Sequence, residues 1–456
     1  MAASSRVWRA LDPAEKYFWL IGRLNGMTGV FLAYADRIFD EGELAGALAA
    51  IQRRHPFLRA RVEPVDGEYA FVKVDGPIPV SVQPLQPDDT LPIAEMQVMP
   101  FPEAPHPLVR CISFPVAAEN RSVVAIVMHH VFLDGSSGMN LMRQFAQALD
   151  GDEAGLAPSD EVPAALHSRF TPDVASPRAA VDVLAAVRAE REGQPAPAVF
   201  PFHDRHTQAT MPRHDLLVVD GAALEALLAG AKAAGATVTG VVDAAFLESA
   251  ADLFDDDEPR WICLASATDL RHRVEPPLPF DDMQLAIGMV ATPYLVSDET
   301  RTALPGAIAD QIAREVARGE SHLFYRFART ATYPPTDEGL ATFAKWVDST
   351  PQNITISSVG RMDDTGDPTW LRRITATMVP GPNQVSFTAA MTYRGEMVLM
   401  VSTDIAKLPP AKADRFVHGL MTRLGARCEQ TTTYAPAGAA PATATPTAPT
   451  TAQTTT

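Results

Sequence analysis

The chain has 456 residues, longer than a single hydrophobic core usually grows, so two domains are expected. With 46% hydrophobic and 20% charged residues it reads as a soluble globular protein, and no apolar run approaches the ~20 residues of a membrane helix. A formal net charge of −17 argues against nucleic acid and anionic lipid as partners, while three widely spaced cysteines, Cys111, Cys263 and Cys428, suit neither a zinc set nor a disulfide framework.

The start, Met1-Ala-Ala-Ser-Ser-Arg-Val-Trp-Arg9, lacks the apolar core of a signal peptide, and a cytoplasmic location is expected. Asp12-Pro-Ala-Glu15 is a capping box with proline at the first helical position, which predicts a helix through Arg23. A strand follows from Gly29 to Ala35. Asp40 to Glu43 repeats the capping logic for a second helix ending near His55-Pro56. Phe57 to Val62 and Tyr69 to Val74 flank Asp66-Gly67, a hairpin signal. Strands are expected at Pro77 to Gln83 and Leu108 to Pro115, the second pairing with Arg121 to Met128 across Glu119-Asn120 and leaving that strand interior to its sheet.

Ser136 to Leu149 reads as a helix, and residues 1–192 as the first domain. A helical patch spans Arg178 to Arg191, and a connection rich in proline and histidine covers 193–214. A second domain, 215–430, starts with a strand from Asp215 to Val219 and helices from Gly221 to Ala234 and Thr239 to Leu253. Strands are predicted at Trp261 to Ala267 and Met289 to Val296, with a helix from Leu304 to Arg318. Further strands cover Asn353 to Ser358, Leu371 to Val379 and the hairpin Val385 to Tyr393 with Glu396 to Thr403. A helix closes it from Pro410 to Leu424. Residues 431–456, almost wholly Thr, Ala and Pro, are expected to be disordered.

One stretch states a chemistry. A β-branched strand, Arg121 to Met128, delivers His129 and His130 to a turn, and Asp134-Gly135, four residues later, reads as a tight turn. Successive strand side chains face opposite ways, so one histidine faces a cavity and the other the packing behind it. The same divergence, and the lack of a completing Cys or Glu, disfavours a metal site at His129, His130 and Asp134, and none is expected. A neutral imidazole within reach of an attacking hydroxyl or amine contributes ~10²–10⁴-fold as a general base, and His130 is the candidate. Asp134 either touches that imidazole or turns away to a distant arginine; spacing leaves both open.

His129-His-Val-Phe-Leu-Asp-Gly135 resembles the signature of the condensation-domain-like acyltransferases. Leu11-Asp-Pro-Ala-Glu15, Arg53-Arg-His-Pro-Phe-Leu-Arg59 and Thr268-Asp-Leu-Arg271 with Gly288 look like the corresponding segments of its mycobacterial polyketide-associated, phthiocerol dimycocerosyl transferase-like members. The resemblance spans most of Trp8 to Leu424. It implies an α/β (α+β) fold of two chloramphenicol-acetyltransferase-like domains in a V, with mixed sheets and a catalytic tunnel at the junction. It also implies that His130 is the base, that His129 supports the site, and that Asp134 forms a buried ion pair with Arg271. Gly135 would leave room for the thioester and offer an oxyanion donor. Ser357 and Ser358 are candidate tunnel lining.

No Asp-Phe-Gly-Trp-Gly motif is present, which weakens a plant-type alcohol acyltransferase reading. The function expected is acyl transfer from acyl-CoA or a phosphopantetheinyl carrier protein to a hydroxyl acceptor in natural-product or lipid biosynthesis, by a monomer with no covalently bound cofactor. The alternatives are a stand-alone condensation enzyme making an amide, and a non-catalytic domain that recruits a carrier or partner. Arg53, Arg54, Arg59 and Arg61 read as a solvated helix end, with docking of a phosphopantetheine arm as the lesser reading. Met391, Met397 and Met400 read as core, though methionines also line adaptable tunnels.

Overall fold

The structure, a computed structural model, describes residues 6–87, 89–207, 209–326 and 332–434. The first half runs β1 (Val7–Ala10), α1 (Pro13–Asn25), β2 (Thr28–Ala35), α2 (Glu41–Arg54), β3 (Ala60–Val65), β4 (Glu68–Lys73), β5 (Val80–Val82), α3 (Ile93–Val98), β6 (Val109–Val116), β7 (Arg121–His129), α4 (Gly135–Leu149), the single turn α5 (Pro172–Ala175) and α6 (Pro177–Glu190). The second runs β8 (Pro212–Val219), α7 (Gly221–Ala233), α8 (Val238–Ala251), β9 (Arg260–Asp269), β10 (Ile287–Val296), α9 (Leu304–Arg318), α10 (Asp337–Ser349), β11 (Asn353–Arg361), β12 (Leu371–Thr377), β13 (Gln384–Tyr393), β14 (Glu396–Asp404), α11 (Pro410–Leu424) and β15 (Arg427–Thr433).

Both capping boxes form: the Asp12 and Asp40 carboxylates accept from the N–H of Glu15 and Glu43, whose side chains return to the cap N–H groups. The predicted hairpins close at Asp66-Gly67 and at Arg394-Gly395, where both residues of each pair take positive φ. Three expectations need correction. Phe57 to Arg59 forms a 3₁₀ turn, with Phe57 and Leu58 packed inward, before β3 begins. The connection 193–214 loses its last three residues to β8. Thr431, Thr432 and Thr433, assigned to the disordered tail, belong to β15, which pairs with β8; residues 435–456 lie outside the described region. Helices α3 and α10 were not foreseen.

Among the described residues there are three sheets. Two are mixed: one has the order β12-β2-β7-β6-β5, so β7 is central as expected, and another the order β10-β9-β11-β13-β14-β8-β15; the third, β1-β4-β3, is small and antiparallel. β12, from the second half of the chain, completes the first-half sheet by pairing antiparallel with β2. A core of Val30, Leu32, Val127, Leu216, Val218 and Val398 packs β2 and β7 against β8 and β14. The two halves thus share one strand and one core. Among the described residues no helix is long and apolar enough to cross a membrane.

Candidate active site

β7 ends at His129, and His130 to Phe132 make one 3₁₀ turn before α4. The Asp134-Gly135 pair, expected as a tight turn, is instead the start of α4: Asp134 is its N-cap, with Oδ1 accepting from the Ser137 N–H at 2.8 Å. The two histidines diverge. His129 packs against Trp19, ring centroids 5.1 Å apart, and its Nδ1 accepts the Val131 N–H at 3.1 Å. Its Nε2 lies so near Gly22 of α1 that a Cβ there would sit 2.7 Å away. Burial, and then His130, push its pKa down to about 3, which keeps it neutral.

The half-buried His130 ring stacks on Phe18 of α1, centroids 4.2 Å apart and planes 16° from parallel. Its backbone N–H donates to Met27 O at 2.9 Å. Burial lowers its pKa to about 4 against the opposing pull of Asp134. Its Nδ1 is buried without a hydrogen-bond partner among the described residues.

Asp134 and Arg271 meet in a bidentate ion pair, with both N–O distances 3.0 Å and both residues buried. Asp134 Oδ2 also accepts the Ala286 N–H at 2.7 Å. With the Ser137 N–H, the carboxylate therefore accepts four hydrogen bonds, which fills its two oxygens. Of the two readings open in the sequence, contact with His130 or with an arginine, only the second is realised. Arg271 also reaches Asp269 Oδ1 at 3.1 Å and Ser137 Oγ at 2.5 Å, and Ser137 Oγ donates to Gln284 O at 2.7 Å. Burial alone would lower the Arg271 pKa, but Asp134 and Asp269 reverse this and raise it. The start of α4 is thereby tied to the end of β9 and the approach to β10.

In front of this pair lies a crevice of about 40 Å³ lined by Asp134, Gly135, Ser357 and Ser358. A second, of about 30 Å³, is lined by His130, Gly135, Ser357, Met378 and Met391. Gly135 belongs to both. A Cβ on it would lie 3.3 Å from Val359 Cγ2 and 3.5 Å from Ser357 Oγ, so the missing side chain leaves the space between the loop and β11 unfilled. As the first helical residue, Gly135 has an N–H that α4 does not use internally. Ser358, one residue on, also lines a separate cavity of about 790 Å³ on the α7 and α8 side, which shares Met391 with the His130 crevice.

The metal reading finds no support in geometry: His129 Nδ1 and both Asp134 oxygens are committed to protein donors, and no group of three metal-ligating side chains occurs among the described residues. The basic residues around the start of β3 have partners within the chain. Arg53, Arg54 and Arg59 pair with Glu153, Asp282 and Asp160, and Arg61 donates to the carbonyls of Pro102 and His106. Sequence reasoning missed Phe18 as the partner of His130; its helix was legible, but which ring faces the histidine is a tertiary fact. It also missed Ser137, which carried no signal beyond its place three residues after an N-cap.

Residues 208–401 match the family described as phthiocerol/phthiodiolone dimycocerosyl transferase C-terminus. Tyrocidine synthase 3 of Brevibacillus parabrevis is 32% identical over 150 residues, which is 31% of this chain but 2% of that synthetase. Two solved structures have the same fold. Polyketide synthase associated protein 5 from Mycobacterium tuberculosis superposes with a TM-score of 0.61 at 16% identity, over 92% of this chain and 98% of that one. The EpoB cyclization-docking bidomain from Sorangium cellulosum gives 0.65 at 16% identity, over 93% of this chain and 86% of that one.

Proposed function

We propose that the chain is a condensation-domain-like acyltransferase related to the dimycocerosyl transferases, and that it moves an acyl group from a thioester to a hydroxyl acceptor with His130 as general base; the family match over residues 208–401 and the shared fold support this. The observation that carries this reading is the state of the His130 imidazole: neutral, stacked on Phe18, bordering a crevice, with the neighbouring carboxylate withheld by Arg271. A base held neutral near pH 7 is ready to accept a proton.

The acceptor oxygen attacks the thioester carbonyl carbon as its proton passes to His130. The oxyanion that forms lies near the Gly135 N–H and the positive end of α4. The C–S bond then breaks, and the leaving thiolate takes the proton back from the imidazolium. No covalent enzyme intermediate and no bound cofactor is needed. The donor is acyl-CoA or an acylated phosphopantetheinyl carrier protein. The match over residues 208–401 supports an ester product. The likeness to tyrocidine synthase 3 is the observation that favours an amine acceptor and an amide as a second reading.

The test is to incubate the full chain with acyl-CoA or an acylated carrier protein and panels of alcohols and amines, and to follow thioester and product by mass spectrometry. Acceptor-dependent loss of thioester with an ester product is expected. An amide product would transfer the reading to the second one, and carrier binding with no thioester loss would contradict both in favour of a recruiting domain.

A further inference from the structure

The cavity of about 790 Å³ between α7, α8 and strands β11, β13 and β14 contains a feature that the proposed chemistry does not use. Its walls are largely apolar, with Leu224, Val242, Ile356, Ala390, Met391 and Met397 among them. The volume is that of a small-molecule site. Asp243 of α8 also lines it. That residue is 1% exposed, and neither carboxylate oxygen has a hydrogen-bond partner among the described residues. A buried carboxylate with no donor is costly wherever it occurs. Burial pushes its pKa up to about 7, so it is poised between its two forms.

The other charged groups at this cavity are accounted for. Arg394 pairs with Asp364 at 3.5 Å and donates to the carbonyls of Thr369, Asp367 and Pro368, while Arg361 is exposed. Asp243 is thus a buried, uncompensated acceptor in an apolar chamber that shares Ser358 and Met391 with the two crevices around His130 and Gly135. A ligand that fits both wall and acid has an apolar chain ending in a cation.

We propose that this cavity binds the chain of the transferred acyl group and that Asp243 pairs with a primary ammonium at the far end of that chain. The identity of the occupant as acyl group rests on the acyl-transfer reading; the recognition of an alkylammonium does not. Of the ligand ends that can donate to Asp243, an ammonium is favoured over a hydroxyl because it supplies a counter-charge as well as donors.

Binding can be read without turnover, so a failure of catalysis and a failure of this site are separable. The full chain is titrated by calorimetry with hexylamine, 1-hexanol and hexanoate, and the same titrations are run on Asp243→Asn and Asp243→Leu. Both variants remove an unpaired buried charge, and the asparagine preserves size should the leucine variant fold poorly. Hexylamine is expected to bind wild type about ten- to a hundredfold more tightly than 1-hexanol, and that preference is expected to vanish in both variants. Equal affinity for amine and alcohol, no binding of either, or an amine preference that survives in the variants as general attraction to an acidic chain would overturn the proposal.

Discussion

At His130 two influences on one imidazole oppose each other. Burial against Phe18 disfavours the charged form, Asp134 favours it, and burial dominates, leaving a pKa of about 4. The sign has a consequence for rate. A base with a lowered pKa is already deprotonated throughout the neutral range, so kcat/KM for thioester transfer is predicted to be flat between pH 6 and 8. Initial rates at saturating acceptor would check this, and a step with its midpoint near 6.5, the ordinary histidine value, would contradict the burial assigned to the ring. On the proposed mechanism the cost is a weaker base than a free imidazole, in exchange for a neutral form kept throughout the neutral range. That the two histidines face different surroundings was legible from alternation along the strand; which of them serves as base came from the resemblance. Phe18 and Asp243 were missed for different reasons. Phe18 needed the packing of α1 on the loop, whereas Asp243 carried a partial signal: it sits among Val241, Val242, Ala244, Ala245 and Phe246 in a mostly apolar helix.

At the scale of the element, α4 is held by its N-cap, Asp134. Asp134 caps the helix, pairs with Arg271 and accepts the Ala286 N–H, so one carboxylate fixes the loop, the helix and the segment before β10 together. Removing either charge strands the other in a buried setting, at a cost of ~3–5 kcal/mol. Asp134→Ala and Arg271→Ala are each predicted to lower unfolding free energy by about that amount in denaturant titrations, and the double variant by clearly less than the sum. Strict additivity would contradict a direct pair. The resemblance supplied this contact in advance; spacing alone did not, since 137 residues separate the partners. The Asp-Gly pair was misread as a turn because turn and N-cap chemistry favour the same residues. Helix α10 did announce itself, by Thr336 as cap and Leu340, Phe343 and Val347 at helical spacing. α3, six residues long, is too short for periodicity to mark.

Across the whole molecule the halves are interlocked rather than merely adjacent. β12 leaves the second half to pair with β2, and β8 and β14 pack their Leu216, Val218 and Val398 on the first-half sheet. Local pattern predicted the strand at Leu371 but had no means of saying which sheet it joins, because alternation reports burial and not partner. Pairing fixes where the crevices are: β11, β12 and β13 supply Ser357, Thr377 and Met391 opposite the His130 loop, so the crevice is lined from both halves of the chain. The central claim is that this arrangement serves one proton transfer at His130. Its most direct test is single-turnover thioester consumption by wild type and His130→Ala at pH 7, with matched melting curves. A loss of ~10²–10⁴-fold with an unchanged fold is predicted, and near wild-type turnover in the variant would contradict the account.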